Sequence, residues 1–324
     1  MNPLRQFQMW RALDHVLGGK APATRFEARR LQLQPSSKAP PQPVKQIPAL
    51  EGLSDHEIRR EFMRRGRPVV LKGKATEWPC VQEWSMTWLK RHYGDDKVEV
   101  FDPLDATSSE VNYDVEVTTL SAVLEAMERG DVSKYSRFNR LLYDHPELVA
   151  HFDWEWLHRM RSAWSSGKTY QVFIGGKGTR TSLHCAGEHN LFTQVHGRKH
   201  WYFIEPQADV WLRPPVTRTP YFHSMFNPEE PDHVAYPGMA TTQIWECTLE
   251  PGDVLFNPPF WWHQVHNLTA SIGVGFRWFD LVDNLSSNFT GTALTMMATN
   301  PPIWTATKHR TDFAAIFKRM QAKT

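Results

Sequence analysis

The sequence predicts a mainly β protein with flanking helices. From about residue 169 to 280, short β-prone runs alternate with turn residues, whereas helical spacing prevails before this segment and again after residue 290. Many short strands at regular spacing are typical of a β-sandwich or a jelly-roll barrel. The β-prone runs cover residues 67–71, 170–174, 191–195, 201–204, 253–256 and 272–276.

Four segments have helical patterns. Residues 1–34 are compatible with a short basic helix. Ser54 and Glu57 form a capping-box pattern, which predicts that a helix begins there. Apolar residues recur at helical spacing over 120–127, so an amphipathic helix is expected. A further polar and aromatic helical stretch is expected over 146–165.

These patterns divide the chain into three parts. Residues 1–49 combine the basic helix with a Pro-rich linker, because 35–48 contain five prolines. Residues 50–289 form the main domain, with the barrel core at about 169–280, and residues 290–324 form a C-terminal helical segment. Within the barrel, the long insertion at 213–238 is the segment most suited to contact a substrate.

Composition excludes several classes of protein. The 37 basic and 35 acidic residues give a net charge of +2, so neither nucleic acid nor an anionic membrane is expected as the main partner. Three cysteines are too few for a disulfide framework or a zinc cluster. No apolar run reaches the roughly 18 residues of a membrane helix. The N-terminus lacks an apolar signal core, so we expect a cytoplasmic protein; an organelle transit peptide is the alternative.

Two segments carry the chemistry. The first, residues 181–190, contains His184, and the second, residues 251–265, contains His263. Two histidines on or beside short strands of one barrel can converge on a metal ion, and neutral imidazole suits iron, zinc or copper. The setting of each histidine beside a β-prone run favours this hypothesis over that of two ordinary core histidines.

The combined motif resembles a known family. The pattern T-x-L-H-x-x-x-x-H-N-L-x-x-Q-V-x-G-x-K, followed by P-G-D-V-L-x-x-P-x-x-W-W-H-x-V, is similar to that of the JmjC and cupin-like Fe(II)/2-oxoglutarate-dependent oxygenases, in particular those of the factor-inhibiting-HIF type. The resemblance covers roughly residues 50–280. It implies a double-stranded β-helix, that is, a jelly-roll or cupin barrel.

The resemblance also implies roles for individual residues. His184 and His263 match the two histidine ligands of Fe(II). Lys199 matches the basic residue that pairs with the distal carboxylate of the cosubstrate 2-oxoglutarate. Thr181 and Asn190 match positions that line the cosubstrate pocket, although polar residues at strand ends would give the same pattern.

Ala186 departs from the family pattern. It stands where the family has the metal-binding carboxylate, and alanine cannot bind a metal. One hypothesis is that chloride takes the vacant position on iron, as in Fe(II)/2-oxoglutarate halogenases. Another is that a different group supplies the third ligand: Glu188 could reach back from a turn, whereas strand alternation points Cys185 to the opposite face. In the remaining hypothesis the site is degenerate and the protein is a binding scaffold.

Halogenation of an unactivated C–H bond is the first functional prediction. A degenerate site would be expected to lose Lys199 and His263 as freely as the acid, yet both are present. The alternatives are hydroxylation of a protein side chain or small metabolite with an altered third ligand, and binding without turnover. The expected partner is a small molecule, peptide or protein, and a homodimer through the C-terminal helices is also considered. Arg277 either faces the pocket or forms an outward salt bridge.

Overall fold

Two β-sheets face each other, and helices cover the outer side of the larger sheet. The computed structural model describes residues 3–17, 40–101, 115–214 and 221–298. The six-stranded sheet has the order β1-β12-β10-β14-β8-β11, and the nine-stranded sheet has the order β2-β3-β13-β9-β15-β7-β6-β4-β5. The strands are β1 (Lys45–Gln46), β2 (Ala49–Leu50), β3 (Val69–Leu71), β4 (Lys97–Phe101), β5 (Val115–Thr119), β6 (Tyr135–Asn139), β7 (Ser166–Gly175), β8 (Arg180–Ala186), β9 (His189–His196), β10 (Lys199–Ile204), β11 (Tyr221–His223), β12 (Ile244–Leu249), β13 (Val254–Asn257), β14 (Trp262–Asn267) and β15 (Ser271–Phe279).

The pairing of eight central strands defines a jelly roll. Strands β7 to β10 alternate between the two sheets, and strands β12 to β15 return along them in reverse order. As a result β12 pairs with β10, β13 with β9, β14 with β8 and β15 with β7, each time antiparallel. This arrangement is a double-stranded β-helix, which confirms the predicted fold class.

Strands from outside the predicted barrel core extend both sheets. The Pro-rich linker contributes β1, which pairs in parallel with the edge strand β12. The predicted strand at 67–71 becomes β3, which pairs with β13. The described part of the linker therefore lies along the sheet edge, while residues 35–39 are outside the described residues.

The amphipathic helix predicted over 120–127 is confirmed as Leu120–Glu128, whereas other helices are shorter than the sequence patterns predict. The Ser54–Glu57 capping box is present and begins a short α-helix that continues as a π-helix. The stretch at 146–165 divides into two helices, because the Asp153 carboxylate caps a new helix that ends at Met160. The α-helices are α1 (Pro3–Leu17), α2 (Asp55–Glu57), α3 (Pro79–Glu83), α4 (Met86–Tyr93), α5 (Leu120–Glu128), α6 (Leu141–Asp144), α7 (Trp154–Met160), α8 (Asp209–Leu212), α9 (Leu281–Ser287) and α10 (Phe289–Met296). The π-helix is Ile58–Met63 and the 3-10 helices are Pro146–His151, Pro206–Ala208 and Pro237–Thr241.

Parts of the predicted terminal segments lie outside the described residues. In the N-terminal segment, α1 is described and residues 18–34 are not. In the C-terminal segment, α10 covers most of the described residues, α9 lies before the predicted boundary, and residues 299–324 are not described. No helix in the described ranges is both long enough and apolar enough to cross a membrane.

The core has three layers. Trp84 and Trp156 belong to the largest apolar cluster, which lies between the helices and the outer face of the nine-stranded sheet. A second cluster, with Phe192 and Trp201, fills part of the space between the sheets. A third, with Cys185 and Trp262, covers the outer face of the six-stranded sheet. Apolar residues therefore pack on the outer face of each sheet and in part of the space between them.

Candidate metal and cosubstrate site

His184 and His263 lie side by side between the two sheets. They belong to neighbouring strands, β8 and β14, and are direct cross-strand partners. Partners in an antiparallel pair project to the same face, so the two rings meet with their centroids 4.2 Å apart. The structure thus brings together two histidines that are 79 positions apart in the sequence.

Both imidazoles are oriented with one nitrogen free. The Nδ1 of His184 is 2.9 Å from the carbonyl oxygen of Ser182, and the Nδ1 of His263 is 2.9 Å from that of Trp261. A carbonyl oxygen only accepts hydrogen bonds, so each Nδ1 carries the proton and each Nε2 keeps its lone pair. Metal-binding histidines are commonly oriented in this way.

Both imidazoles are also neutral. Burial lowers the pKa of His263 to about 4, and burial together with the neighbouring His263 holds the pKa of His184 well below its ordinary value. Neutral imidazole is the form that binds a metal ion. Protonation state and ring orientation therefore both suit metal coordination.

Lys199 is a buried cation next to the histidine pair. Its side chain is 1% exposed, and its Nζ lies 5.6 to 5.9 Å from the ring centroids of Tyr135, Phe173 and Phe192. Burial lowers the pKa of Lys199, and a hydrogen bond with the Tyr135 hydroxyl opposes that shift. No carboxylate among the described residues pairs with this ammonium group. A buried charge is stable only with a partner, so the site is built to receive an anion.

A narrow pocket connects these groups. It is lined by Thr181, both histidines and several aromatic residues. Its three lining cations are Arg137, Lys199 and Arg277, and its lining includes no acidic side chain. The composition of the wall therefore favours an anionic ligand over a cationic or purely apolar one.

Arg277 faces the pocket and forms a salt bridge at the same time. Its guanidinium lines the pocket, and its Nη1 is 3.2 Å from the Glu188 carboxylate. Its cross-strand partner is Asn190, which is buried and whose two side-chain amide atoms have no hydrogen-bond partner among the described residues. Unpaired buried polar atoms are unfavourable, so Asn190 has capacity for a further ligand or water contact.

Ala186 lies on the same face as His184, two residues further along β8. Its side chain is a methyl group, which has no atom that could bind a metal, and no other residue of β8 takes the place of the missing carboxylate. Cys185 lies on the opposite face in the outer apolar cluster, as strand alternation predicts, and burial raises the pKa of its thiol. Within the described ranges, no three side chains of His, Cys, Asp or Glu are already arranged to hold a metal ion.

A match to a protein-family model identifies the family of this chain. The model of the cupin-like domain matches residues 55–284, which is more than two thirds of the sequence. The chain belongs to the cupin-like domain family. The matched range contains all eight central strands of the jelly roll, both histidines and Lys199.

Several characterised proteins resemble this cupin-like chain. It is 26% identical over 238 residues to lysine-specific demethylase 8 of Xenopus tropicalis, covering 73% of this chain and 52% of the relative. It is 26% identical over 254 residues to lysine-specific demethylase JMJ30 of Arabidopsis thaliana, covering 75% and 57%. It is 25% identical over 268 residues to the human bifunctional peptidase and (3S)-lysyl hydroxylase JMJD7, covering 71% and 82%. The chain spans about half the length of the first two relatives.

One residue of this cupin-like site is missed by the sequence interpretation. His223 lies on β11, within the insertion at 213–238, and is the direct cross-strand partner of His184. The two rings are nearly parallel, at 24°, with centroids 6.0 Å apart. The only sequence signal is a three-residue alternation, Tyr-Phe-His, which is too short to predict a strand.

The other histidines of the cupin-like barrel lie away from the pocket. His189 stacks on Trp278 with ring centroids 5.1 Å apart. His200 and His266 face carboxylates, of Glu246 and Glu229 respectively. These positions follow from strand alternation, which cannot direct every histidine of the barrel inward.

Proposed function

We propose that the protein is an Fe(II)- and 2-oxoglutarate-dependent enzyme that hydroxylates a C–H bond of a peptide or protein substrate. One observation carries this proposal: two neutral imidazoles with free Nε2 atoms share a pocket with a buried ammonium group that has no carboxylate partner. Such a pocket matches the needs of a divalent metal and an anionic cosubstrate together.

His184 and His263 would hold the iron. Their adjacent rings, free Nε2 atoms and lowered pKa values suit binding of one metal ion. With dioxygen as the oxidant, bound iron would supply the oxidising chemistry that an unactivated C–H bond requires: one oxygen atom enters the product, and the other enters succinate as 2-oxoglutarate loses CO2. The backbone carbonyls of Ser182 and Trp261 keep the imidazoles oriented, so little reorganisation is needed on binding.

Lys199 would bind the distal carboxylate of 2-oxoglutarate. The ammonium group is fully enclosed, so a carboxylate placed beside it would form a charge-assisted hydrogen bond away from water. Thr181, which lines the pocket, would contact the same ligand through its hydroxyl. Asn190 would use its free amide beside Arg277 to orient ligand or water at the pocket edge.

The names of the relatives support a protein substrate. They include lysine-specific demethylases and a (3S)-lysyl hydroxylase, which act on amino-acid side chains by their printed names. The strand β11, which belongs to the 213–238 insertion, pairs with β8 beside His184, so this part of the insertion lies next to the histidine pair. A small metabolite stays the alternative substrate, and nucleic acid is not expected at a net charge of +2.

Halogenation is the second candidate reaction, and Ala186 is the observation that favours it. Without a carboxylate at this position, the iron site has one negative charge fewer, and three cations line the pocket. Chloride beside Ala186 would restore the charge balance and provide the atom to be transferred. Hydroxylation and halogenation differ only in which group occupies the position on iron that Ala186 leaves without a carboxylate.

Self-association through the C-terminal helices is a further part of the proposal. Val282 and Phe289, on α9 and α10, are each 69% exposed, and apolar surface of this kind favours a partner. Sedimentation of the wild type and of a Val282→Ser, Phe289→Ser double variant would test it: a dimer that becomes monomeric supports the proposal. We also propose a cytoplasmic location; Cys80, Cys185 and Cys247 are buried free thiols, which suits a reducing compartment.

Anaerobic titration tests the function. Fe(II) is added to the protein with 2-oxoglutarate, in chloride and in chloride-free buffer, and the charge-transfer absorption is followed. Peptides from a library are then incubated with the loaded protein in air and weighed by mass spectrometry. We expect an absorption band in both buffers and a product heavier by one oxygen atom. A chlorinated product would select halogenation, and the absence of both band and 2-oxoglutarate turnover would leave only a binding scaffold.

A further inference from the structure

A row of three histidines crosses the six-stranded sheet. His263 on β14 is the register partner of His184 on β8, and His184 is in turn the register partner of His223 on β11. The three positions therefore follow each other across adjacent strands and project to the same face. Tyr221 precedes His223 by two residues and is the register partner of Ala186. β11 thus lies alongside the part of β8 where the carboxylate is missing.

The His223 ring is available for coordination. In the described part of the chain its ring nitrogens have no hydrogen-bond partner, although its ring stacks beside that of His184. His223 is half-buried, so its ring can turn without disturbing the tightly packed core.

We infer that His223 supplies the third protein ligand of the metal, in place of the carboxylate that Ala186 lacks. This inference rests on the proposed function, because it concerns the same metal site. The ring centroids of His184 and His223 are 6.0 Å apart and the rings are nearly parallel, so the His223 ring must turn toward the metal when the metal binds. The site then has three imidazoles and no carboxylate.

Glu188 is the competing protein ligand, and its salt bridge argues against it. Its carboxylate is 3.2 Å from Arg277, whose side chain is 9% exposed. Moving Glu188 to the metal would leave the Arg277 guanidinium in the pocket without its carboxylate, which is strongly unfavourable for a buried charge. Turning the His223 ring breaks no hydrogen bond within the described residues.

Chloride is the other group that competes for the third position on the metal, and it cannot share that position with His223. A third imidazole would occupy the position that the halogenation hypothesis gives to the halide. Three neutral ligands also leave the full charge of the metal uncompensated by protein, so the dianionic cosubstrate must supply the balance. The inference therefore predicts metal binding that does not depend on chloride and a strong preference for a dianion beside it.

Metal titration with Co(II) alone tests the inference without any turnover. The wild type is compared with His223→Ala, Glu188→Gln and His184→Ala, and the cobalt absorption bands are followed in chloride-free buffer. His266→Ala is the matched control, because it removes a histidine of β14 that faces Glu229 instead of the pocket. X-ray absorption of the loaded proteins counts the coordinated imidazoles. Circular dichroism and thermal unfolding of each metal-free variant show that it is folded.

The expected results separate the inference from the proposed function. His223→Ala should weaken Co(II) binding by at least about tenfold, since loss of even an outer-shell partner of a metal ligand typically costs 10 to 100-fold. Its imidazole count should fall from three to two, while Glu188→Gln and His266→Ala stay within about twofold of the wild type. Adding Ala186→Asp to His223→Ala should restore the affinity.

Other results would contradict either the assignment of His223 as a ligand or the proposed function. If His223→Ala binds Co(II) as the wild type does, and the wild type shows two imidazoles, the inference is wrong while the metal site stands. If Glu188→Gln is the variant that weakens binding, Glu188 is the ligand and the inference is also wrong. If wild type and His184→Ala bind Co(II) equally weakly, the proposed function fails as well.

Discussion

Two buried polar clusters lie on opposite faces of the six-stranded sheet, and they differ in how their charges are satisfied. On the outer face, the Asp209 carboxylate accepts hydrogen bonds from Trp262, Asn288 and Arg11, at 2.7, 3.1 and 3.5 Å. On the inner face, Lys199 has no carboxylate partner among the described residues. Both charges are almost fully buried, so exposure does not explain the difference.

The difference separates a structural cluster from a binding site. The outer cluster joins α1, α8, β14 and the cap of α10, and its carboxylate and its guanidinium are partners of opposite charge within the chain. The inner cluster combines an ammonium group that has no carboxylate partner among the described residues with two imidazoles whose Nε2 atoms are free. A buried charge paired within the chain stabilises the fold, whereas one left unpaired marks a site for a ligand of opposite charge.

The largest expected effect is at the histidine pair. Replacing His184 or His263 with alanine should weaken Fe(II) binding far more than His223→Ala does, because these two rings are already adjacent whereas the His223 ring must turn to reach the metal. Each apo variant should remain folded with a somewhat lower melting temperature, since it loses a packed ring and a hydrogen bond to a backbone carbonyl. Anaerobic calorimetry with Fe(II) and thermal unfolding of the apo forms measure the two quantities. A His263→Ala protein that binds Fe(II) as tightly as the wild type would refute the ligand assignment.

Lys199 should come next. Loss of one partner of a buried charge pair typically costs about 3–5 kcal/mol, so Lys199→Met should raise the dissociation constant of 2-oxoglutarate at least about a hundredfold. Without ligand the same variant should be as stable as the wild type or more stable, because the methionine removes an unpaired buried charge. Titration with 2-oxoglutarate measures the change in affinity, and urea unfolding measures the change in stability. An affinity change below threefold would place the cosubstrate elsewhere.

Asp209 should show the opposite pattern. Asp209→Ala leaves the Arg11 guanidinium buried without its carboxylate, so the free energy of unfolding should fall by about 3–5 kcal/mol while the affinity for 2-oxoglutarate is unchanged. Urea unfolding and ligand titration measure the two effects. The Arg11→Met, Asp209→Ala double variant is the control and should recover much of the stability. If Asp209→Ala weakens ligand binding instead, the two clusters are coupled and the distinction between them fails.

The smallest effect is expected where no charge is buried. At an exposed helix start, the Ser54 hydroxyl accepts a hydrogen bond from the Glu57 amide, and the Glu57 carboxylate accepts one from the Ser54 amide. Ser54→Ala should lower the free energy of unfolding by about 1 kcal/mol, as is typical of a lost cap. Metal and cosubstrate affinity should not change. A loss above about 3 kcal/mol would mean that this exposed helix start is coupled to the buried core.

Local patterns predict the parts of the site that depend on strand alternation and motif spacing. The β-prone runs locate β7, β9, β10, β13 and β15, and the two motif segments locate the histidine pair and Lys199. The inward direction of His184 and the outward direction of Cys185 follow from the period of two along β8. The capping box at Ser54 is equally local, and it is present as predicted. The groups that would replace the carboxylate missing at Ala186, in contrast, make contacts with residues that are distant in the sequence.

Tertiary structure alone decides which distant groups meet. The sequence places Arg277 near a strand end, but only the pairing of β15 with β9 brings its guanidinium to the pocket and to Glu188. Arg11 and Asp209 are 198 positions apart and meet because α1 packs against α8 and α10. His223 belongs to a three-residue strand whose register with β8 places it beside His184. Alternation is a property of one strand and can be read from its residues, whereas register depends on the contacts of two strands and on the turn or insertion between them.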